Sequence, residues 1–338
     1  MTEEHFVIIG NGPAGNQAAV TLREKVPEAR VTMIDKESTG CYKPNLLPEY
    51  VVGKVSEDKL YISPLDFYKA KGIKLRLGQK VIDVNFKGKE ITLDHKEVIR
   101  FSGLILALGG RPRIPEPLHP FEDLMFTLKT IADARRWIQE LGKVESVLII
   151  GGDLTSFAVA KALLHLGKKV SFILDEDAFW PVRYNKEIYE QAAHQLTQKG
   201  VKVLACRKLK GVLRRSEHSL QVQVDDRKIE VGMVGAFFGL VPDVKFLTRS
   251  GLQIERGVLV DEYLNTGFEG VYAAGDCAEI YHPEIRDYWV SIGYDNAVNL
   301  GRIAALNMAG GKVQADVEPE SIFFVKDIRA NISWWMEF

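Results

Sequence analysis

A glycine-rich turn near the amino terminus constrains the fold of this 338-residue chain more than any other feature. The run Phe6–Ile9 is continuously apolar, as expected of a parallel strand buried on both faces. Gly10, Gly12 and Gly15 follow at once, and the pattern from Asn16 to Lys25 is helical. A strand that enters a helix through a Gly-x-Gly-x-x-Gly turn is typical of dinucleotide binding, so this order predicts a Rossmann-like unit.

The residues around this turn each have a physical role in such a site. Gly10 allows the tight turn, Gly12 lets the backbone approach a pyrophosphate, and Gly15 lets the helix pack close to the strand. The helix amino terminus adds free N–H groups and a partial positive charge. A second strand, Arg30–Ile34, ends at Asp35, whose carboxylate would accept hydrogen bonds from a ribose. The alternative is a strand-to-helix turn that binds nothing.

A weaker copy of the same pattern begins half-way along the chain. The apolar run Val147–Ile150 leads into Gly151 and Gly152, a helical pattern continues to about His165, and a strand is predicted over Lys169–Ile173. The spacing between the copies is too long for a solenoid repeat, and it indicates two nucleotide-binding-type domains instead.

The remaining sequence predicts strands, a linker and a long helix. Alternation between Lys74 and Leu93 predicts small antiparallel strands, and three prolines within Gly110–Pro117 predict a crossover linker. Further elements are strands at Leu104–Ala107, Leu252–Val260 and Gly270–Ala274, and a helix from Ile292 to Ala309.

Composition excludes several classes of function. The 44 Lys and Arg residues balance 45 Asp and Glu residues, so the chain lacks the basic excess that binding of duplex nucleic acid requires. No run of about 18 apolar residues occurs, and only a short one follows the acidic start. These features predict a cytoplasmic protein without a membrane span. The three cysteines are far apart and the seven histidines form no ligand pairs, so no metal site is predicted.

A second motif lies towards the end of the chain. The segment Thr266–Asp276 ends in Val-Tyr-Ala-Ala-Gly-Asp. Together with the amino-terminal turn and with Val260–Thr266, Gly301–Gly311 and Leu104–Pro112, it resembles the FAD-dependent pyridine-nucleotide reductases. That group includes ferredoxin and rubredoxin reductases, NADH oxidases and the flavin part of nitrite reductase. The resemblance covers about residues 5 to 312, with Leu108 in place of the family's usual threonine.

The resemblance implies FAD as the cofactor and gives residues their roles. Asp276 would contact the ribityl chain, and the helix from Ile292 would direct its amino terminus at the flavin pyrimidine ring. Lys43 would be a catalytic cation beside the isoalloxazine, and a surface lysine in a loop is the alternative. The implied cofactor-binding residues are Gly10, Gly12, Pro13, Ala14, Gly15, Asp35, Lys36, Lys43, Pro44, Ala107, Leu108, Gly109, Arg111, Gly275, Asp276, Tyr294 and Ala297.

The resemblance also implies the domain organisation. The expected fold is α/β with two Rossmann-like three-layer domains, each with a parallel central sheet. An FAD-binding domain (about 1–115 and 250–312) encloses an NAD(P)-binding-type domain (116–249), and 313–338 form a short extension. There, Ile322–Val325 would form a strand. The aromatic tail Ile332–Phe338 would either dock a partner or a second copy of the chain, or pack into the core.

The second glycine turn departs from the family pattern. Asp153 and Ser156 stand where the family has glycines, Ala158 where it has a glutamate beside the nicotinamide, and Leu174 where a ribose-binding acid would lie. A carboxylate about 4 Å from a phosphate costs on the order of 4 kcal/mol at an effective dielectric of about 20, or roughly three orders of magnitude in affinity. Asp153 is also a favourable N-cap for the next helix. These substitutions argue against tight NAD(P)H binding, and the lack of nearby arginines favours NADH over NADPH.

Two functional hypotheses follow. The first is an FAD-dependent oxidoreductase that passes a hydride or electrons through its flavin, from NADH to a small-molecule or protein acceptor that the sequence does not identify. The second is a flavin-binding electron-relay or assembly subunit that does not turn over NAD(P)H. Asp153, Ala158 and Leu174 favour the second, and the intact FAD motifs are compatible with both. Cys41 precedes the family's redox-cysteine position near Asn45, so a packed residue is favoured for Cys41 and Cys277, and a redox role is the alternative.

Overall fold

The computed structural model describes residues 4–174, 186–204, 207–283, 286–290 and 293–315. Contacts divide the chain into two units. The first unit lies within Met1–Lys43, Tyr61–Arg111 and Val241–Phe323, and the second within Pro44–Leu60 and Pro112–Leu240. The strand predicted at Ile322–Val325 and the tail Ile332–Phe338 lie outside the described residues.

Strands and helices alternate along much of the chain. The strands are β1 (His5–Ile9), β2 (Arg30–Asp35), β3 (Ile73–Leu77), β4 (Val81–Asn85), β5 (Glu90–Leu93), β6 (Val98–Arg100), β7 (Gly103–Leu106), β8 (Gly110–Pro112), β9 (Ser146–Gly151), β10 (Lys169–Leu174), β11 (Lys202–Val203), β12 (Leu209–Ser216), β13 (Ser219–Val224), β14 (Arg227–Val231), β15 (Met233–Phe237), β16 (Leu240–Pro242), β17 (Val258–Val260), β18 (Val271–Ala273), β19 (Ala278–His282) and β20 (Asp287–Val290). The helices are α1 (Pro13–Lys25), α2 (Leu47–Val51), α3 (Leu65–Ala70), α4 (Ile131–Leu141), α5 (Leu154–His165), α6 (Lys186–Gln198) and α7 (Tyr294–Met308).

A parallel sheet in the order β18-β7-β1-β2-β3 forms the centre of the first unit. Ile9 of β1 lies opposite Ile34 of β2 on one side and opposite Leu106 of β7 on the other. Every residue of β1 and β7 is buried, which explains their continuous apolar runs. The carboxyl ends of the parallel strands meet at one edge, so the loops after β1, β2, β7 and β18 come together there.

The second unit has the same arrangement around the parallel sheet β11-β10-β9-β15. Gly151 at the end of β9 lies opposite Leu174 of β10 and Phe237 of β15. An antiparallel sheet, β12-β13-β14, contributes Val222 and Val224 to a core that also contains Ile150. The predicted α/β fold with parallel central sheets is therefore confirmed.

Two predicted segments differ from the structure. β3 joins the central sheet as a parallel edge strand beside β2, and only β4, β5 and β6 pair antiparallel, whereas the sequence predicted antiparallel strands throughout Lys74–Leu93. Alternation of polar and apolar residues reports that a strand is half-buried, but not which strand it pairs with. Within Leu252–Val260 only β17 is a strand, because the chain turns back and Ile254 bridges to Val258.

The segment predicted as a crossover linker, Gly110–Pro117, contains β8 and the start of a 3₁₀ helix, Glu116–Leu124. The predicted domain boundaries stay a prediction, and the contacts add Pro44–Leu60 to the second unit. Every helix in the described part of the chain is too short or too polar to cross a lipid bilayer.

Candidate cofactor site

The first glycine of the first turn is required by packing. Gly10 has a φ of +111°, and its N–H donates to the Ile34 carbonyl at 2.7 Å. A Cβ at this position would lie 2.1 Å from the Ala107 carbonyl oxygen. Only glycine combines this backbone angle with so close an approach, so Gly10 lets β1 turn where β2 and β7 also end.

Gly12 differs, because no described residue fills the space beside it. A Cβ at Gly12 would have no heavy atom within 4 Å, and its φ of −72° and ψ of −176° suit any residue. Gly12 is the N-cap of α1 and supplies no side-chain hydrogen bond, while Pro13 takes the first helical position. The first-turn N–H groups of α1 are thus left to a ligand, and an anion is what a helix amino terminus attracts.

The start of α1 packs closely against the loop after β18 and against α7. Gly275 has a φ of +77°, and a Cβ there would lie 3.0 Å from the Ala14 Cβ and 3.7 Å from the Ala297 Cβ. A Cβ at Gly301 would lie 2.1 Å from the Ala14 carbonyl oxygen. α7 begins after Gly293, which likewise offers no capping side chain. Two uncapped helix amino termini therefore flank Gly275, and Asp276 follows it, partly exposed.

Other residues of the predicted set surround the same turn. The third glycine, Gly15, is as constrained as Gly10, because a Cβ there would lie 1.9 Å from the Gly10 carbonyl oxygen and 3.3 Å from the Ala107 Cβ. Gly109 has a φ of +60° and Arg111 is exposed. The loop after β7 is thus close enough to the turn to share a ligand with it.

The carboxylate at the end of β2 points at the turn. Asp35 Oδ2 accepts from the Asn11 N–H at 2.5 Å, and Oδ1 accepts from the Glu37 N–H at 2.7 Å. The carboxylate thereby fixes the backbone between Gly10 and Gly12. Lys36 instead donates to Asp243 at 2.6 Å, in an ion pair whose lysine side chain is about half exposed.

Three polar atoms near Asp35 were not predicted from the sequence. Asn11 Oδ1, Thr39 Oγ1 and Gln79 Oε1 are buried and have no hydrogen-bond partner among the described residues. Asn11 Nδ2 donates to the Thr39 carbonyl at 3.2 Å, and the Gln79 N–H donates to the Asp35 carbonyl at 2.9 Å, so the three residues cluster. Each unsatisfied buried group costs about 1–3 kcal/mol, which makes them candidates for contact with a ligand. Thr39 and Gln79 lie in loops, where no sequence pattern marks them.

Lys43 and Tyr294 belong to the predicted flavin end of the site. Lys43 is half-buried, and its ammonium has no ion-pair partner within the ranges that the structure describes. Pro44, the next residue, begins a 3₁₀ helix of the second unit. Tyr294 is the first residue of α7, and burial raises the pKa of its phenol, helped by Cys41 nearby.

Neither described cysteine has the character of a redox centre. Cys41 is 1 % exposed, and burial raises the pKa of its thiol to about 12, with Asp35 and Glu37 adding to the effect. Cys277 is fully buried, and burial raises the pKa of its thiol to about 11. Both are uncharged thiols at neutral pH and act as packed residues. Cys206 lies outside the described residues.

The second turn has the same backbone but is filled by a side chain. Gly151 has a φ of +130°, and a Cβ there would lie 1.8 Å from the Phe237 carbonyl oxygen. Asp153, with a φ of −73° and a ψ of 170°, is the N-cap of α5. Its Oδ1 accepts from the Ser156 N–H at 2.9 Å, and its Oδ2 accepts from the Gly239 N–H at 2.9 Å. The chain itself thus provides the anion at this helix terminus.

The surroundings of Asp153 keep its carboxylate in place. Burial raises its pKa to about 6, opposed by the hydrogen bonds from the backbone of Ser156, Gly239 and Thr155. Ser156 is fully buried, and its Oγ donates to the Asp153 carbonyl at 2.5 Å. Leu174 pairs with Gly151 at the position that Asp35 holds in the first unit, and Ala158 is exposed.

The two turns therefore differ in which group they can take. The first offers open space at Gly12, uncapped termini of α1 and α7, and a carboxylate for a ribose, and these features fit FAD. Among the described residues, the second offers neither an open anion site nor a ribose acid at the end of β10, so it does not fit the pyrophosphate of a nicotinamide dinucleotide.

Comparison with known proteins gives matches along most of the chain. The family described as pyridine nucleotide-disulphide oxidoreductase matches residues 4–301. A nitric oxide reductase FlRd-NAD(+) reductase of Escherichia coli is 30% identical over 276 residues, which cover 81% of this chain and 72% of that protein. The protein of the same name from Klebsiella pneumoniae is also 30% identical, over 277 residues with the same coverage.

Solved structures share the fold. Putidaredoxin reductase in its covalent complex with putidaredoxin has a TM-score of 0.83 at 23% identity, over 91% of this chain and 75% of that chain. A ferredoxin reductase from Rhodopseudomonas palustris has a TM-score of 0.83 at 22% identity, over 93% of this chain and 78% of that chain.

Proposed function

Because the chain belongs to the pyridine nucleotide-disulphide oxidoreductase family, we propose that this FAD-dependent oxidoreductase passes electrons through its flavin to a small redox protein. The observation that carries the proposal is the open anion site at Gly12, where α1 begins without a capping side chain. FAD, when bound, supplies the ability to accept and release electrons at its ring system.

The residues of the first turn hold the adenosine and pyrophosphate half. The N–H groups at the start of α1 donate to the pyrophosphate, and the positive end of the helix adds a favourable charge interaction. Asp35 accepts from the ribose while it fixes the Asn11 backbone. The unpaired oxygens of Thr39 and Gln79 accept from donors of the same half.

The residues of α7 and the loops before it hold the flavin half. Asp276 would bind the ribityl chain, and the amino terminus of α7, with Tyr294 and Ala297, would hold the ring system. The positive end of α7 and the ammonium of Lys43 stabilise negative charge on the ring, so they favour its reduction. The protein thus tunes the cofactor through fixed charges and dipoles.

The names of similar proteins support a protein acceptor. The relatives from Escherichia coli and Klebsiella pneumoniae are named as reductases of a component abbreviated FlRd. The structure of putidaredoxin reductase was solved in a covalent complex with putidaredoxin. A reductase of this type docks a separate redox protein, so we propose the same class of acceptor here.

One substitution tests cofactor binding directly. Gly12→Asp introduces into α1 the cap that Asp153 gives α5, and the backbone angles at both positions are alike. We expect FAD affinity to fall about three orders of magnitude, since a carboxylate would lie against the pyrophosphate. Asn85→Asp is the control, because it adds the same negative charge at an exposed position of the first unit and should leave FAD affinity unchanged.

Flavin absorbance and titration of FAD into stripped protein give both affinities. Equal FAD affinity in Gly12→Asp and wild type, or a wild-type protein that takes up no FAD, would refute the assignment of the site. For the acceptor, dithionite-reduced protein is mixed without oxygen with rubredoxin- and ferredoxin-type proteins, and with ferricyanide as a small-molecule comparison. Reoxidation by ferricyanide alone would contradict a protein acceptor.

A further inference from the structure

The carboxylate of Asp153 is surrounded by backbone donors. Its two oxygens accept from the Ser156 and Gly239 N–H groups, both at 2.9 Å, and the Thr155 backbone contributes a further hydrogen bond. These donors come from the start of α5 and from the loop after β15. Such converging amides at a helix terminus make an anion site, and here the anion is part of the chain.

This carboxylate occupies the position that the first unit leaves empty. Asp153 and Gly12 are both N-caps with φ near −70° and extended ψ, and each follows a glycine that touches the neighbouring parallel strand's carbonyl. Nothing lies within 4 Å of a Cβ at Gly12. The equivalent space in the second unit therefore holds the Asp153 side chain.

A dinucleotide at α5 would have to compete with this arrangement. Its pyrophosphate would first displace the carboxylate from the Ser156 and Gly239 amides, and would then lie within a few ångströms of a like charge. Repulsion at about 4 Å lowers affinity by roughly three orders of magnitude at an effective dielectric of about 20. Leu174, 1 % exposed, offers no carboxylate for the ribose in compensation.

We propose that Asp153 is a built-in anion that closes the dinucleotide site of the second unit, so that a nicotinamide dinucleotide does not bind at the amino terminus of α5. The proposal rests on the proposed function, because it takes the flavin of the first unit as the redox centre. It makes Asp153 the residue that excludes a dinucleotide from α5.

Calorimetric titration of the flavin-loaded protein tests this closure. The probes are NAD⁺ and ADP-ribose, which has the same pyrophosphate without the nicotinamide. Asp153→Gly restores the arrangement of Gly12 and should bind ADP-ribose at least about tenfold more tightly than the wild type, a gain of about 1.4 kcal/mol. Asp153→Asn removes the charge at nearly constant size and should give a smaller gain, which keeps the test valid if the glycine variant does not fold. Asp226→Gly, an exposed aspartate of the same unit, is the control.

The outcomes separate this proposal from the assignment of FAD. Equal affinity for ADP-ribose in the wild type and both Asp153 variants, whether tight or undetectable, would overturn the closure. So would rapid bleaching of wild-type flavin by NADH without oxygen; we expect NADH to leave it oxidised while dithionite reduces it. Flavin content is measured before each titration, so a colourless protein would refute the FAD site, whereas equal ADP-ribose affinities in flavin-loaded proteins would refute only the closure.

Discussion

The two glycine turns share a backbone and differ in chemistry. Gly10 and Gly151 both have positive φ, and a Cβ at either would collide with a carbonyl oxygen at the carboxyl end of the neighbouring parallel strand. Gly12 and Asp153 both cap a helix from the same backbone conformation, yet one leaves the helix terminus open and the other fills it. The first glycine of such a turn therefore serves the fold, and the second serves the ligand.

This distinction explains why the second turn could change without loss of structure. In the described part of the chain nothing packs against the position of Gly12, so a side chain at the equivalent position costs no contact and gains a cap. No such freedom exists at Gly151, where the Phe237 carbonyl leaves no room. Fold and ligand binding can thus separate within a few residues of one motif.

The largest expected effect is a loss of stability when the first glycine of either turn is replaced. Gly10→Ala and Gly151→Ala should each lower the free energy of unfolding by about 4 kcal/mol or more, because strain from positive φ adds to overlap with a carbonyl. Urea unfolding, followed by circular dichroism, measures the free energy of unfolding of each variant.

Matched controls separate the collision from the backbone strain. Gly267 and Gly167 also have positive φ, at +85° and +70°, but a Cβ at either meets no atom within 4 Å. Gly267→Ala and Gly167→Ala should cost only about 1 kcal/mol. If Gly151→Ala were no worse than Gly167→Ala, the two turns would not share the packing constraint claimed for them.

A pH dependence should distinguish the second turn from the first. Burial raises the pKa of Asp153 from 3.8 to about 6, so the folded chain retains a proton that the unfolded chain releases between these values. The stability associated with the protonated carboxyl is fully present below pH 3.8 and lost as the pH rises to about 6, by at most about 3 kcal/mol. Gly12, at the equivalent position of the first turn, has no titrating group.

Asp153→Asn removes this titration. Urea unfolding of the variant and the wild type from about pH 4 to about pH 7.5 should show the variant gaining stability relative to the wild type as the pH rises. Asp226→Asn, at an exposed position of the same unit, should give a constant difference. A constant difference for Asp153→Asn as well would mean that the carboxyl is not buried as the structure indicates.

The sequence alone predicted the local helices and strands well. It predicted poorly which strands pair and which distant residues form hydrogen bonds. β1, α1 and β2 begin and end within a few residues of their predicted limits, since an apolar run and a glycine turn are local signals. The parallel pairing of β3 with β2 was missed, because strand partners are set by packing across the chain. The Gly239 N–H that holds Asp153 is also distant in sequence, 86 residues away.

For the site, the sequence marked the positions but not their partners. Asp153 could be recognised as a misplaced anion and as an N-cap because both properties follow from its place in the motif. By contrast, the sequence could not show that Thr39 and Gln79 bring unpaired oxygens close to Asp35, since both residues lie in loops without a recognisable pattern. The roles proposed for the predicted cofactor-binding residues stay predictions until flavin binding is measured.

The smallest expected effect is on FAD affinity and concerns Asp35, which lies at the end of β2 where a ribose would bind. Asp35 and Leu174 hold equivalent positions, but only Asp35 has a carboxylate, and it orients the turn through the Asn11 N–H. Asp35→Asn keeps one acceptor and turns an amide group towards the other backbone donor. Hydrogen bonds to a charged group contribute about 2 kcal/mol, so FAD affinity should fall roughly thirtyfold in a fluorescence titration. Asp83→Asn changes the same charge at an exposed position of the first unit and should leave affinity unchanged. A loss shared by both variants would indicate a general charge effect, and Asp35 would then have no more specific a role than Leu174.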